Sequence, residues 1–321
     1  MTFTPAPSID KVYFLDRVQV GHVNRARSVD TYFAGNGVNV ARTLHLAGNT
    51  VSAVLPIDRE RIAGGGYGDE LLKVVRGIDV GSPLRTNVIA VDETGTTTNI
   101  NAVPAPLDPD QWSGLCRAVI DEVQRIDADW FVLGGSLPVN TSTGTSVDIQ
   151  PLFHSMRSLG VSICLDSPVG DNTLSKWSRA CQPDVVKPNI KELMTMTRIT
   201  VRCLRDVVDA ANLVRASGVD TVLASLGADG ILEVSAQGIL WGRGPRTQVL
   251  NTTGAGDAAL AGYLSVAHPE SPRTEWCDEA LRRAVSWGAL AVGQATTVLP
   301  HISTEPYEVR IGFPELDRQL A

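Results

Sequence analysis

Short apolar runs rich in β-branched residues alternate with helical patterns along most of the chain, and this alternation strongly constrains the fold. Strand-like runs occupy residues 51–55, 86–91, 130–133, 161–165, 185–187, 221–225 and 231–235. Helical spacing of apolar residues covers 38–47, 70–76, 110–125, 149–159, 205–216 and 284–295. With short loops between them, these runs predict an α/β fold with a mostly parallel sheet covered on both faces. Ligands of such sheets bind beyond the carboxyl ends of the strands.

Two segments break the alternation. In residues 10–32 and 85–103, polar and apolar side chains alternate, and 92–95 (DETG) has the composition of a hairpin turn. They predict a small sheet that covers a site. No repeat or long linker divides the chain, so we expect a single domain over residues 1–321 with these lid segments inserted in it.

Composition narrows the range of partners. The 321 residues are 43% apolar and carry a net charge of −7, which predicts a sizeable core and a surface that does not attract nucleic acid or anionic membranes. The five cysteines lack metal-ligand spacing. The sequence has no apolar run of about 18 residues and no signal-peptide core near Met1. We therefore expect a cytoplasmic protein that acts on small molecules.

Residues 253–257 (TGAGD) combine an anion-binding loop with a carboxylate. The glycines let backbone N–H groups converge on one point, and the helix predicted after them adds the positive end of its dipole. Asp257 would lie in the first turn, where the dipole is expected to lower its pKa and keep it ionised at neutral pH. This arrangement suits phosphoryl transfer. The alternative is a helix cap that binds no ligand.

Other nucleotide-binding motifs are absent or weak. The sequence contains no GxxxxGK(S/T) loop, which argues against a P-loop enzyme. Residues 63–68 (AGGGYG) are rich in glycine, but their spacing does not fit a dinucleotide-binding loop and no strand pattern precedes them. They predict a turn, and a dehydrogenase is disfavoured.

Five motifs occur in one order along the chain: 33–42 (FAGNGVNVAR), 134–138 (GGSLP), 187–193 (KPNIKEL), 225–230 (SLGADG) and 251–257 (NTTGAGD). Together they resemble the motifs of the ribokinase-like, phosphofructokinase-B family of sugar kinases over almost the whole chain. The resemblance implies a three-layer α/β/α sandwich with a small β-sheet lid. Residues 4–10, 21–26, 85–87 and 95–101 are most similar to the branch that phosphorylates ketohexose phosphates of the fructose 1-phosphate, fructose 6-phosphate or tagatose 6-phosphate class.

The resemblance implies ATP as phosphoryl donor, Mg²⁺ as metal ion, and a role for each motif. Asp257 is expected to accept the proton of the attacking hydroxyl. The backbone N–H groups of Gly254, Ala255 and Gly256 are expected to bind the migrating phosphoryl group. Substrate binding is expected from Asp10, Gly35, Asn36, Gly37, Asn39, Arg85, Asn101 and Ser136.

Two of these substrate residues have specific alternatives. Arg85 is the candidate for the phosphate that the substrate already carries, because a guanidinium binds phosphate with two hydrogen bonds. A solvated surface arginine is the alternative. Asp10 is expected to bind sugar hydroxyls, and an ordinary turn aspartate is the alternative.

The nucleotide is expected at Lys187, Asn189, Ser225, Gly227, Thr253, Gly254 and Gly256. Asn189 and Glu192 lie three residues apart at a predicted helix start, so they would hold Mg²⁺ and its waters from one face. The same spacing fits a capping box that serves only the helix. For Lys187, the choice between local packing and phosphate binding stays open.

The chain departs from the family pattern where the substrate's phosphate would bind. Ala34 and Asn36 stand where glycine and lysine are common, Ala6 replaces a usual asparagine, and Asn99 replaces a frequent lysine. Two positive charges that could bind the phosphate, at positions 36 and 99, are thus missing. Each charged hydrogen bond to an anion would contribute about 1.5–3 kcal/mol to binding. The alternatives are a kinase of an unphosphorylated sugar or nucleoside and, disfavoured because Asp257 is retained, a non-catalytic sugar- or nucleotide-binding regulator. The resemblance also implies a homodimer formed through the lid sheet.

Overall fold

A ten-stranded sheet runs through the centre of the computed structural model, which also contains a separate four-stranded sheet. The structure describes residues 1–57, 59–65, 69–166, 176, 179–294, 296, 299–302 and 308–320. The strands are β1 (Thr2–Phe3), β2 (Ser8–Leu15), β3 (Ser28–Ala34), β4 (Ala53–Leu55), β5 (Val75–Gly77), β6 (Arg85–Asp92), β7 (Thr97–Ile100), β8 (Trp130–Gly134), β9 (Ser162–Asp166), β10 (Val185–Val186), β11 (Thr221–Ser225), β12 (Ile231–Ser235), β13 (Gly238–Arg243) and β14 (Arg310–Gly312). The helices are α1 (Asn36–Leu46), α2 (Arg59–Gly64), α3 (Asp69–Val74), α4 (Pro109–Arg125), α5 (Gln150–Ser158), α6 (Ile190–Thr197), α7 (Leu204–Arg215), α8 (Ala255–Leu264) and α9 (Cys277–Val292).

The large sheet is mostly parallel. Its strand order is β14-β13-β12-β11-β10-β9-β8-β1-β4-β5. All neighbours from β5 to β11 pair in parallel, and β12, β13 and β14 extend the sheet as antiparallel strands. The α/β fold with a mostly parallel sheet, predicted from the alternation, is confirmed.

Helices cover both faces of this sheet. Successive residues of β8 point to opposite faces of the sheet. Phe131 and Leu133 belong to one apolar cluster, and Val132 belongs to another. The first cluster includes buried residues of α4, α5, α6 and α7, and the second includes buried residues of α1, α8 and α9. The result is the expected three-layer sandwich.

The four-stranded sheet has the order β3-β2-β6-β7. It is built from the two segments whose alternation predicted a small sheet, although β2 begins at Ser8 rather than at Asp10. Strands β6 and β7 form a hairpin across residues 92–95, in which Gly95 N–H donates to the Asp92 carbonyl at 2.9 Å. We call this sheet the lid sheet.

Local patterns mispredicted three details. The helix expected over 70–76 ends at Val74, because Val75–Gly77 pair with β4 and this tertiary pairing overrides the helical spacing. Strand β1 has only two residues and therefore too few for a detectable pattern. The helix expected over 284–295 is the C-terminal part of α9, which ends at Val292.

Two further expectations concern residues 63–68 and the membrane. In the glycine-rich segment, Gly64 ends α2, and residues 66–68 lie outside the described part of the chain. Among the described helices, none is long and apolar enough to cross a bilayer.

Candidate active site

The predicted motifs meet at one edge of the large sheet. Residues 134–138, 187–193 and 225–230 follow β8, β10 and β11, whose carboxyl ends lie on the same side because these strands run parallel. Helices α1 and α8 begin at the same edge, because Gly37 of α1 lies against Gly134 at the end of β8 and Asn39 in α1 contacts Asp257 in α8. A parallel sheet thus gathers residues that are far apart in the sequence at a single site.

Asp257 lies in the first turn of α8 and is buried. Its Oδ2 atom accepts a hydrogen bond of 2.7 Å from Asn39 Nδ2. Gly254 precedes the helix with a φ of 81°, a left-handed conformation that favours glycine. Thr253 N–H donates to Asn251 Oδ1 at 2.9 Å, which holds the loop before this turn. Of the expected anion-binding amides, Ala255 N–H makes a long bond of 3.4 Å to the Thr252 carbonyl.

Lys187 is buried against the loop that precedes Asp257. A Cβ atom at Gly256 would lie 3.1 Å from Lys187 Nζ, so the ammonium lies directly beside this glycine. Lys187 Nζ also lies 3.2 Å from Asp166 Oδ1. The Lys187 ammonium thus lies close both to Asp166 and to residues 253–256, which we call the glycine loop, and its role as a phosphate contact stays a prediction.

Asp166 is a residue of this site that sequence reasoning missed. It ends β9, is 5% exposed, and its Oδ2 atom has no hydrogen-bond partner among the described residues. The available signal was a carboxylate directly after the predicted strand 161–165, at the edge where parallel strands bind ligands.

The electrostatics of Asp257 differ from the expectation. Burial, with the Asp166 carboxylate, raises the pKa of Asp257 to about 7. The prediction of a lowered pKa is wrong, because loss of water around the carboxylate outweighs the Asn39 hydrogen bond and the Lys187 charge, which lower the pKa. Burial lowers the pKa of Lys187, but Asp166 and Asp257 raise it more, so the ammonium stays charged.

The glycine motif at the start of α1 packs against protein. A Cβ atom at Gly35, whose φ is 147°, would lie 2.7 Å from Thr4 Cγ2, and one at Gly37 would lie 2.6 Å from Thr4 Oγ1. A Cβ atom at Gly134 would lie 2.6 Å from Gly37 N. Packing of the chain against itself thus already requires these glycines, apart from any approach of a sugar. Asn36 and Ser136, both partly exposed, follow Gly35 and Gly135 in these two adjoining loops.

Asp10 lies on the lid sheet in a cluster of buried polar side chains that also contains Ser8 and Asn87. Its Oδ1 atom accepts hydrogen bonds from Ser8 Oγ at 2.7 Å and from Asn87 Nδ2 at 2.9 Å. Burial raises the pKa of Asp10 despite these bonds. Asn87, directly beside Asp10 on β6, was not singled out from the sequence.

Arg85 begins the same strand, and its guanidinium already binds two backbone carbonyls. The Nη1 atom donates to Ala102 O and the Nη2 atom to Ala6 O, each at 2.9 Å. It is therefore not the solvated surface arginine of the alternative interpretation. Asn101, in the segment after β7, is exposed.

Asn189 and Glu192 form the capping box that was the alternative to a metal site. Asn189 Oδ1 accepts from Glu192 N–H at 3.0 Å, and Asn189 N–H donates to Glu192 Oε2 at 2.9 Å. Burial, with the nearby Asp166 carboxylate, raises the pKa of Glu192. Among the described residues, no cluster of three or more His, Cys, Asp and Glu side chains forms a metal centre.

Ser225 and Gly227 lie next to this helix start. Ser225 N–H donates to the Pro188 carbonyl at 3.0 Å. Gly227 has a φ of 61°, and a Cβ atom there would have no atom within 4 Å, so this side of the loop is open. An open backbone at the carboxyl end of β11 suits a bound nucleotide.

The chain matches the family model described as pfkB family carbohydrate kinase over residues 4–304. With a three-layer α/β fold and a buried aspartate at a helix start, the chain therefore belongs to the pfkB family of carbohydrate kinases. The family and enzyme class expected from the sequence are confirmed.

Individual relatives agree. The chain is 31% identical over 304 residues to a 1-phosphofructokinase of Escherichia coli, covering 92% of this chain and 91% of that protein. It is 30% identical over 311 residues to a 1-phosphofructokinase of Haloferax volcanii, covering 94% and 93%. The structure of phosphofructokinase-2 from Escherichia coli in complex with substrates and products matches with a TM-score of 0.74 at 24% identity, covering 94% of this chain and 95% of that chain.

Proposed function

We propose that this protein transfers the γ-phosphoryl group of ATP to a hydroxyl of a ketohexose phosphate, of the fructose 1-phosphate, fructose 6-phosphate or tagatose 6-phosphate class. The observation that carries the proposal is the buried Asp257 carboxylate, held by Asn39 at the start of α8. Relatives named 1-phosphofructokinase, at 30% and 31% identity over nearly the whole chain, support the substrate class. We expect the reaction in the cytoplasm, where ATP is available.

Asp257 is the proposed base. The Asn39 hydrogen bond engages Oδ2 and leaves Oδ1 to accept the proton of the attacking hydroxyl. A pKa of about 7 matches this task, because the carboxylate is populated near neutral pH yet binds the proton well. The N–H groups of Gly254, Ala255 and Gly256, with the Lys187 ammonium, would stabilise the negative charge of the phosphoryl group.

The nucleotide and metal ion would bind between α6 and the glycine loop. Asp166 Oδ2 and Thr253 Oγ1 are buried and lack hydrogen-bond partners within the described chain, as expected for atoms that a ligand satisfies. Asn189 and Glu192 would hold Mg²⁺ and its waters, and Ser225 and Gly227 would contact the nucleotide. When bound, Mg²⁺ neutralises charge on the phosphates.

On the sugar side, Asp10, Asn39 and Arg85 are the proposed main contacts. Asn36, Asn101, Ser136 and the backbone at Gly35 and Gly37 complete the set. The two carbonyls that Arg85 binds favour a second candidate, a kinase of an unphosphorylated sugar or nucleoside, because a phosphate would have to share the guanidinium with them.

We further infer a homodimer through the outer face of the lid sheet. Val12 and Ile89 are buried on the inner face, on the same side as Asp10. On the opposite face Val29 and Ile100 are 47% and 65% exposed. A second copy of the chain would cover this apolar face.

The test is a coupled assay of ADP formation with fructose 1-phosphate, fructose 6-phosphate, tagatose 6-phosphate, free hexoses, ribose and nucleosides. We expect one of the three sugar phosphates to give the highest kcat/KM. Preference for a neutral sugar or nucleoside would overturn the sugar-phosphate proposal and support the second candidate. Absence of turnover with every acceptor, while ATP still binds, would support a regulator instead.

A further inference from the structure

The hairpin formed by β6 and β7, which we call the lid hairpin, packs against residues 249–252. These residues lead into the glycine loop. A Cβ atom at Gly95, in the turn between β6 and β7, would lie 2.6 Å from the carbonyl oxygen of Val249. Further along the two segments, the Thr97 and Thr252 hydroxyl oxygens are 3.5 Å apart. The first of these contacts involves backbone, so a side chain at residue 95 forces one of the two segments to move.

The docked segment is connected directly to the proposed phosphoryl site. Leu250 N–H donates to the Val292 carbonyl at 2.8 Å. The Oδ1 atom of the buried Asn251 accepts a hydrogen bond from Thr253 N–H. Gly254 and the start of α8 follow at once. A displacement of Val249 would therefore reach the backbone that is proposed to bind the phosphoryl group.

The hairpin itself is held in one shape. Asp92 Oδ1 accepts hydrogen bonds from Thr94 N–H, Thr94 Oγ1 and Thr96 N–H at 2.9, 2.6 and 3.0 Å. Arg27, on the loop before β3, lies 2.8 Å from Glu93 and 3.2 Å from Asp16. The turn is thus tied to the neighbouring strands of the lid sheet.

Strand β6 joins this hairpin to the proposed sugar contacts. It begins at Arg85, includes Asn87 beside Asp10, and ends at Asp92. At about 3.3 Å per residue, the two ends are about 23 Å apart along one strand. A strand hydrogen-bonded on both edges transmits a shift at one end to the other.

We propose that Gly95 is a positioning residue, which lets the lid hairpin dock on Val249 and thereby couples occupancy of the sugar site to the conformation of the glycine loop before Asp257. The proposal rests on the proposed kinase function, because it assigns the sugar to the lid and the phosphoryl group to the glycine loop. Its consequence is that the proposed sugar site and the proposed phosphoryl site are completed together.

The test compares Gly95→Ala with Gly48→Ala. Gly48 has a φ of 82° against 79° at Gly95, but a Cβ atom at Gly48 has nothing within 4 Å, so this control carries the backbone strain without the clash. Because small displacements at a reacting centre are costly, we expect Gly95→Ala to lower kcat/KM at least about tenfold and Gly48→Ala less than about twofold. Equal, small effects of both substitutions would overturn the proposal.

Hydrogen exchange provides a readout that does not need turnover. In wild-type protein, fructose 1-phosphate, or whichever acceptor the assay identifies, should slow amide exchange in residues 249–255, and Gly95→Ala should abolish this protection while Gly48→Ala retains it. Protection that persists in Gly95→Ala would overturn the coupling. If no acceptor is phosphorylated, the kinase proposal fails, whereas faster exchange of 249–255 in ligand-free Gly95→Ala than in Gly48→Ala would still support docking.

Discussion

Asp257 and Asn39 are 218 residues apart in the sequence, yet they share a buried hydrogen bond of 2.7 Å. Burial and Asp166 make Asp257 a far weaker acid than an exposed aspartate, and the Lys187 ammonium is held nearby. The proposed proton acceptor and the proposed phosphate-binding cation thus occupy one buried site. Such a site strengthens both interactions, because little water screens them.

The first prediction concerns the proposed base. Asp257→Asn keeps the shape of the side chain but removes its ability to take up a proton. We expect kcat to fall by about 10²–10⁴-fold, the usual contribution of a general base. Isothermal titration should show ATP binding within about threefold of wild type. Activity close to that of wild type would contradict the assignment of Asp257.

The same substitution should change the pH dependence of stability. The pKa of Asp257 rises from 3.8 to about 7 on folding, so its contribution favours the folded state below pH 4 and is lost as pH rises through 7. Asp257→Asn has no carboxyl group to ionise. Between pH 5 and pH 8 its free energy of unfolding should therefore gain about 2–3 kcal/mol relative to wild type, measured by urea unfolding. A constant difference across this range would contradict the raised pKa.

In helix α6, one pair of residues caps the helix and is also proposed to bind a metal ion. Its capping box uses Asn189 Oδ1 and Glu192 Oε2, and the same residues are the proposed holders of Mg²⁺. Because the cap and the proposed metal site share these two residues, a substitution to alanine would disturb both and could not separate the two roles.

Glu192→Gln separates them. The glutamine carbonyl oxygen can still accept from Asn189 N–H, so we expect the free energy of unfolding to change by less than about 0.5 kcal/mol. Loss of the carboxylate charge should raise the Mg²⁺ concentration for half-maximal activity by about tenfold. As a control, Asn189→Ala should lose about 1 kcal/mol of stability as well. An unchanged Mg²⁺ requirement in Glu192→Gln would leave only the capping role.

At the level of the whole molecule, the lid sheet connects the proposed sugar site to the surface proposed for dimerisation. Its inner face carries Asp10 and Asn87, and its outer face exposes Val29 and Ile100. Because β-strand side chains alternate between faces, the four-stranded sheet can serve both surfaces at once. A partner subunit would then restrict the movement of the lid.

Ile100→Asp tests the dimer. A charge on the proposed interface should convert the dimer to a monomer at micromolar concentration, which sedimentation velocity would detect. Val103→Asp is the control, since Val103 is 83% exposed and lies beyond the end of β7. Monomeric wild-type protein, or an equal effect of both substitutions, would contradict an interface on this face.

How far the sequence led can be judged from particular elements. The strands β8, β9 and β11 and the helices α1, α4 and α7 follow from apolar periodicity, which is a local property. The helix predicted after the glycines of residues 253–257 is likewise present as α8. Strand β5 was assigned to a helix, because its state is set by pairing with β4 and not by its own residues.

The sequence by itself determined the α/β class, the order of the motifs and their placement after strands, because each depends on residues that are close along the chain. Only the tertiary structure decided that Asn39 holds Asp257, that Asp166 pairs with Lys187, and that Thr4 packs against Gly35. It also reversed the expected pKa shift of Asp257. Burial and contacts between distant segments control these properties, and neither exists until the sheet brings the segments together.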